Sequence, residues 1–187
     1  MDPALSIWLT ASLALVLGRS CLHKAAAPSH FQSSLAAYQI LPARAHRFAA
    51  KSLIAFEALA TLCLAGSLVI EGLRPIGSLA ALLLLTVYSG AIALSLMRGR
   101  RDLDCGCDGP GKSRPISPAL LARNAVLIAL ALLSAIPPQP RQLIAIDAFS
   151  IVFALVTFGL LYETLNHLGQ TARSPFSSPA QHARSVS

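Results

Sequence analysis

Five apolar stretches divide the chain, and each is long enough and poor enough in charge to cross a bilayer. They cover residues 4–22, 52–70, 76–97, 119–136 and 143–162. A transmembrane helix needs about 20 consecutive apolar residues. The stretches are rich in Leu and Ala and lack the strict alternation of barrel strands. The pattern therefore predicts an all-α membrane protein with a polytopic bundle of five transmembrane helices.

The first stretch has a second interpretation as a cleaved signal peptide, because three alanines at 25–27 follow it. The start of the chain, Met1-Asp2-Pro3, is acidic and carries no Lys or Arg. The apolar run is also longer than the core of a typical signal peptide. We therefore expect the first helix to stay in the mature protein.

The connections between the stretches differ in length. The turns 71–75 and 137–142 are short and marked by Gly or Pro, so the helices they join should pack as antiparallel neighbours. The long connection 23–51 holds apolar and aromatic residues, which we expect to rest on the bilayer interface or to cap the bundle. We predict an integral-membrane domain over 1–163 and a disordered polar tail over 164–187, which is rich in Ser, Pro and Ala.

Composition agrees with a membrane protein, since 55% of the 187 residues are hydrophobic and mean hydropathy is +0.63. The formal net charge is +7, but the basic residues fall mostly in the two long connections and form no helix face with interleaved aromatics. This distribution excludes nucleic acid as the expected partner. It favours solvated loops and anionic lipid.

The sidedness of the long connections is predicted differently by two rules. Most basic residues lie in 23–51, 98–118 and the tail, so the positive-inside rule favours the cytoplasm for that side of the membrane. A thiol pair that makes or passes on disulfides belongs instead outside the bacterial cytoplasm. The residues alone leave both orientations open.

That thiol pair lies in the segment DLDCGCDGPG, where Cys105 and Cys107 flank Gly106. Two positions separate the thiols, which puts their Cα atoms near the upper end of the ~4.4 to 6.8 Å that a disulfide tolerates. A ring this small should be strained, and strain favours exchange over a structural role. Basic and acidic flanking residues oppose each other, so the net effect on thiol reactivity stays open.

Two other interpretations of the thiols remain. A zinc site normally needs four ligands, and only Cys21 and Cys63, both inside predicted helices, could add to the pair. Alternatively, the pair is reduced and inert. Cys21 and Cys63 are interpreted as small buried hydrophobic residues, with Cys21 at the loop side of the first helix.

Charged residues inside the apolar stretches form a second set of candidates. A charge at mid-bilayer costs at least ~2.5 kcal/mol, so it should face a partner or a polar cavity. The candidates are Glu57, Arg123 with Asn124, Arg19 and Asp147. Alternating helix directions bring Glu57, Arg19 and Arg123 to the side of the long connections, and Asp147 to the other side.

We therefore predict a buried polar site in which Glu57 clusters with Arg19 or Arg123, beneath Cys105 and Cys107. His23 and Lys24 could snorkel or line the same site. The cluster is either an ion pair that only fixes helix register or a proton relay or quinone contact.

Several of these residues occur in an order that resembles a known family. The order is Gly18, then His23 and Lys24, Phe31, Tyr38 with Leu41 and Pro42, Glu57, RGRRDLDCGC after the third helix, and ARN at the fourth. This resembles the MauE proteins of methylamine utilisation, part of the wider DoxX-like group of redox-associated membrane proteins. The match covers roughly 4–136, and Asp108 replaces the aromatic residue that usually follows the second cysteine.

The resemblance implies a four-helix DoxX-like core plus one helix, in the bacterial inner membrane. It implies a role in maturation of the methylamine dehydrogenase small subunit, an exported cysteine-rich protein, together with a thioredoxin-like periplasmic partner of the MauD type. Cys105 and Cys107 would then be the pair that exchanges disulfides, in a periplasmic loop.

The resulting hypothesis is a membrane thiol–disulfide relay, with a membrane quinone as an electron acceptor by analogy with other helical-bundle thiol oxidases. A relay driven in reverse by cytoplasmic thiols would import reductant. Two competitors belong to other classes: a non-catalytic scaffold or chaperone that docks the thioredoxin-like partner, and a small-solute transporter. A transporter would need a polar path across the bundle.

Overall fold

The computed structural model of the chain describes residues 1–40, 42–99 and 118–171, apart from the side chains of 43 and 166–171. This part of the chain is helical throughout, with turns between the helices. The helices are α1 (Pro3–Ala26), α2 (Pro28–Ala37), α3 (His46–Gly66), α4 (Arg74–Met97), α5 (Pro118–Ser134) and α6 (Ala145–Thr171). Short 3₁₀ helices, Ala43–Ala45 and Glu71–Leu73, precede α3 and α4. The prediction of an all-α membrane bundle is confirmed.

Each predicted apolar stretch corresponds to one long helix. Among the described helices, four are long and apolar enough to cross a membrane: α1, α3, α4 with the turn before it, and α6 as far as Leu165. The helix α5 has 17 residues, which at the rise of an α-helix is about 25 Å. That length is at the lower limit for a transmembrane helix.

The ends of two helices differ from the predicted stretches. The helix α3 ends at Gly66, before the predicted end at 70, and the apolar residues Leu68, Val69 and Ile70 lie exposed in the turn. The apolar sequence therefore extends beyond the end of the helix. The helix α6 runs to Thr171, so the first residues of the predicted tail 164–187 are helical, and 172–187 lie outside the described residues.

The short helix α2 lies in the first long connection, where no helix was predicted. Pro28 occupies its first turn, where a missing N–H costs nothing. Phe31 on α2 and Tyr38 just after it are buried, and Tyr38 packs with Ile92 of α4 and Leu120 of α5. The aromatic residues of this connection therefore cap the bundle, as one of the two predicted arrangements has it.

The two short turns have different consequences for packing. Helices α3 and α4 pack against each other as predicted, but α6 packs mainly against α1 rather than α5, so the prediction for that pair is wrong. A group of polar contacts, here called the clasp, joins the chain start to the turn before α6. The Met1 ammonium donates to the Pro137 carbonyl, the Gln139 N–H donates to the Met1 carbonyl, and Arg141 pairs with Asp2 and Asp147.

These contacts define two ends of the bundle. The turn end holds the N-terminus, the α3–α4 turn and the α5–α6 turn, and the loop end holds α2, the end of α4 and the start of α5. Between them lies an apolar layer of buried residues from α1, α3, α4 and α5. Its members are Leu13, Leu17, Leu64, Ala81, Leu85, Leu127 and Ala131.

Helices α3 and α4 approach each other most closely at Gly77. A Cβ atom placed on Gly77 would lie 2.9 Å from the Leu64 backbone nitrogen and 3.1 Å from the Cys63 carbonyl carbon. Small residues at such crossings let membrane helices pack backbone to backbone. The crossing fixes how α3 presents its buried face to α4.

The clasp at the turn end should respond to acid. The Ala4 N–H, and next the Arg141 guanidinium, hold the pKa of the Asp2 carboxyl below its usual value of 3.8. A carboxyl with a lowered pKa stabilises the fold above its usual pKa, and this contribution is lost as pH falls through the lower value. We expect Tm to decrease slightly as pH falls below about 4. Asp2→Asn should lower Tm at neutral pH and flatten this profile, and an unchanged profile would contradict the role of the clasp.

Candidate functional site

The side chain of Lys24 enters the bundle from the last turn of α1. Cys21 Sγ lies 3.7 Å from the Ile54 carbonyl oxygen, and Gly18 faces Thr61. Glu57 lies between Ile54 and Thr61 on α3, so it faces the part of α1 between Cys21 and Gly18. Side chains on a helix lean toward its N-terminus, which lets Lys24 reach back to this level. As a result, a lysine at the end of a helix is 1% exposed.

Lys24 forms a buried ion pair with Glu57. Its Nζ lies 2.7 Å from Glu57 Oε2 and 2.9 Å from the hydroxyl oxygen of Tyr88 on α4. The Tyr88 hydroxyl in turn donates to Glu57 Oε2 at 3.3 Å. The ammonium also lies 4.3 Å from the centroid of the Tyr88 ring and 5.1 Å from that of Phe31. These contacts compensate for the removal of both charges from water.

One oxygen of Glu57 remains available. Glu57 is fully buried, and Oε1 has no hydrogen-bond partner among the described residues. Glu57 also lines a small cavity at the loop end of the bundle, together with residues of α1, α4, α5 and α6. A buried carboxylate oxygen beside a cavity can accept a hydrogen bond from water or from a ligand, or can take up a proton.

Arginines complete the wall of this cavity, but they do not pair with Glu57. Arg123 of α5 lines the cavity, and its guanidinium carbon lies 5.7 Å from the centroid of the Tyr162 ring on α6. Arg19 also lines it and forms an ion pair with Glu163 of α6. Glu57, Arg19 and Arg123 therefore line one cavity, and the carboxylate of Glu57 pairs with Lys24 rather than with either arginine.

Other polar residues of the sequence prediction occupy the expected ends. Asn124 is buried and lines the cavity, as does His23. Asp147 lies at the opposite end, where it accepts hydrogen bonds from Arg141 and from the Ile144 N–H. The polar residues are therefore divided between the two ends, with the apolar layer between them. A transporter would need a polar path through this layer, whose buried members are Leu and Ala side chains.

The four cysteines fall into two groups, the loop pair and the two thiols in helices. Cys105 and Cys107 lie outside the described residues, but α4 ends at Met97 and α5 begins at Pro118, both at the loop end. The segment with the thiol pair therefore leaves and re-enters the described structure on the side of Glu57. Cys21 is a free, buried thiol next to the ion pair, and Cys63 is a free, partly buried thiol.

The sequence placed Lys24 at this site only as one of two alternatives, and it did not identify Tyr88 as a partner of Glu57. A lysine near a helix end is expected to extend toward water, so its inward direction was not apparent. Tyr88 gave a weak signal, since it is the one tyrosine in the apolar stretch 76–97. A tyrosine within a membrane helix usually needs a partner for its hydroxyl.

Comparison with known proteins agrees with the residue order described above. The family model described as "Methylamine utilisation protein MauE" matches residues 2–137. No solved structure matches the chain. The matched range includes α1 to α5, and therefore the ion pair and both flanks of the thiol segment.

Three curated relatives carry the name methylamine utilization protein MauE. The protein of Paracoccus denitrificans is 37% identical over 120 residues, which cover 64% of this chain and 62% of the relative. That of Paracoccus versutus is 33% identical over the whole chain and 95% of the relative. The protein of Methylophilus methylotrophus is 29% identical over 86% of the chain and 84% of the relative. The chain belongs to the MauE family of methylamine utilisation proteins.

Proposed function

We propose that this membrane protein of methylamine utilisation acts as a thiol–disulfide relay through Cys105 and Cys107. Its client is the methylamine dehydrogenase small subunit, and its partner is a thioredoxin-like periplasmic protein of the MauD type. One observation carries the proposal: the chain flanking the thiol pair leaves the bundle directly at the end that holds the buried Lys24–Glu57 site.

The chemistry is an exchange between two dithiols. A thiolate of one pair attacks a sulfur of the other pair's disulfide, and the resulting mixed disulfide is resolved by the second thiol. One pair is oxidised, the other is reduced, and two electrons with two protons pass between them. Glu57 Oε1, which lines the cavity at this end, is a group that can hold one of these protons.

Renewed oxidation of Cys105 and Cys107 needs an acceptor, for which we propose a membrane quinone. When bound, a quinone supplies an acceptor for two electrons and two protons. The residues fit such a group: Tyr88 and Ile92 line both the polar cavity and an adjoining pocket, whose wall is otherwise almost wholly apolar. That pocket would hold the chain of the quinone, while Tyr88 and Arg123, which line the polar cavity, would donate hydrogen bonds to its ring oxygens.

The test is replacement of both loop thiols. In Cys105→Ser/Cys107→Ser, the amount of mature dehydrogenase small subunit should fall by at least about tenfold. Without these thiols a mixed disulfide can be neither formed nor resolved. The matched control is Cys21→Ser/Cys63→Ser, which removes the helix thiols and should retain maturation. Disulfide content of the client is the measurement, and full maturation by the loop double variant would eliminate the relay.

A second candidate, a docking scaffold for the thioredoxin-like partner, is favoured by the charge of the loop end. Exposed basic residues surround this end: Arg44, Arg47, Lys51 and Arg98. A cluster of this kind can attract an acidic partner surface. The scaffold predicts that Cys105→Ser/Cys107→Ser still supports maturation, whereas charge reversal of these basic residues does not.

We propose that the loop end faces the periplasm, where the exported client is oxidised. The exposed basic residues at this end argue for the cytoplasm. Labelling of intact cells with a membrane-impermeant maleimide, with and without prior reduction, discriminates between the two. Labelling of Cys105 and Cys107 from outside only after reduction supports a periplasmic disulfide, and labelling only after lysis contradicts the placement.

A further inference from the structure

At the turn end, Arg74 is a buried cation without a carboxylate partner among the described residues. It is 7% exposed at the start of α4, and its guanidinium donates one hydrogen bond, to the Ser6 hydroxyl of α1. Its Nε is buried and has no partner among the same residues. Lys24, Arg19 and Arg141 each pair with a carboxylate, so Arg74 differs from these basic side chains.

Two carboxylates at the turn end, those of Asp2 and Asp147, pair with Arg141 rather than with Arg74. Ser78, one turn further along α4, bonds to Ser134 of α5. Arg74 is also the first residue of α4, where the helix dipole adds positive potential. Glu71 lies on the preceding 3₁₀ helix, and its side chain is exposed. The Nε donor of the buried guanidinium therefore has no acceptor among the described residues.

The exposed side chains of the turn beside Arg74 are apolar, which is typical of a segment in contact with lipid acyl chains. Val69, Ile70 and Ile76 are 87%, 59% and 56% exposed on either side of it. Apolar side chains exposed at the end of a membrane helix are covered by acyl chains, and lipid headgroups lie just above them. The phosphate groups of the headgroups therefore lie at about the level of Arg74.

We propose that Arg74 binds the phosphate group of an anionic phospholipid at the turn end. Arginine donates through a planar fork that matches phosphate oxygens, so one phosphate can use donors that the protein leaves unpaired. The Ser6 hydroxyl, hydrogen-bonded to the same guanidinium, orients the fork. This site is separate from the Lys24–Glu57 cavity and independent of the proposed relay.

The test uses the full chain purified in a zwitterionic detergent, with phosphatidylglycerol, phosphatidylcholine or inorganic phosphate added. Native mass spectrometry counts retained lipids, and Tm reports stabilisation. For the unmodified chain we expect one phosphatidylglycerol retained above the level of phosphatidylcholine, with a rise in Tm. Arg74→Gln should weaken this binding by about tenfold or more, and Arg141→Gln, at the same end but paired with Asp2 and Asp147, should not.

Arg74→Lys keeps the positive charge but removes the planar guanidinium. This variant tests the site if Arg74→Gln does not fold. It should retain less phosphatidylglycerol than the unmodified chain. Equal retention by the unmodified chain and the Arg74 variants would overturn the site. A Tm rise with inorganic phosphate equal to that with phosphatidylglycerol would support the anion site and overturn lipid as its source.

Discussion

Lys24→Met should lower the free energy of unfolding by about 3 to 5 kcal/mol, the usual cost of removing one partner from a buried ion pair. Both side chains are fully buried, and Oε2 of Glu57 would keep only the longer bond to Tyr88. Methionine fills a volume similar to that of lysine. The loss of stability therefore comes from removal of the charge and not from a cavity. The measurement is unfolding in mixed micelles as the fraction of denaturing detergent is increased.

The double variant Lys24→Met/Glu57→Leu separates stability from function. Replacing both charges should recover much of the lost stability, because no unpaired charge remains buried. If the site serves exchange, client maturation should stay low although the protein folds. Full maturation would mean that the pair only fixes helix register, and a Lys24→Met variant as stable as the unmodified chain would contradict the buried pair itself.

Gly77→Val should lower the free energy of unfolding by about 3 kcal/mol or more. The new Cβ would meet backbone atoms of α3, which cannot rotate away as a flexible side chain can. Helices α3 and α4 would have to separate, and Glu57 would move away from Tyr88. The expected results are a lower Tm and a reduced yield of folded protein.

A matched control lies in the same helix. A Cβ at Gly90 would meet nothing within 4 Å, so Gly90→Val should change stability much less. If the two valine variants were equally stable, the close crossing at Gly77 would not exist. Gly77→Ala should be intermediate, because it adds the clashing atom without further branches.

The sequence predicted the helices well because their signal is local. Hydropathy identified every long helix, and the cost of a buried charge marked Glu57. It did not reveal α2, a ten-residue helix with three serines, because that segment is too short and polar for a membrane signal. The end of α3 was also hidden, since exposed apolar residues continue past Gly66.

Contacts between distant residues were beyond prediction from one sequence. The position of α6 depends on Asp2 and Arg141, which are 139 residues apart in the chain. The partner of Glu57 depends on the direction in which Lys24 extends, and that direction is decided by burial among Phe31, Tyr88 and α3. Residue type and spacing identified the candidates at the site, and packing decided which of them meet.

The apolar layer at the centre of the bundle also has a bioenergetic consequence. Ions cross a bilayer poorly unless polar groups or water relieve the cost of dehydration. The leucines and alanines of this layer carry no ionisable group, and the buried Ser12 hydroxyl next to Leu13 is neutral. A proton taken up by Glu57 would have to return to the compartment from which it came. Turnover at the loop end would then leave the transmembrane proton gradient intact, and the cell could keep this protein in its energised membrane without a leak.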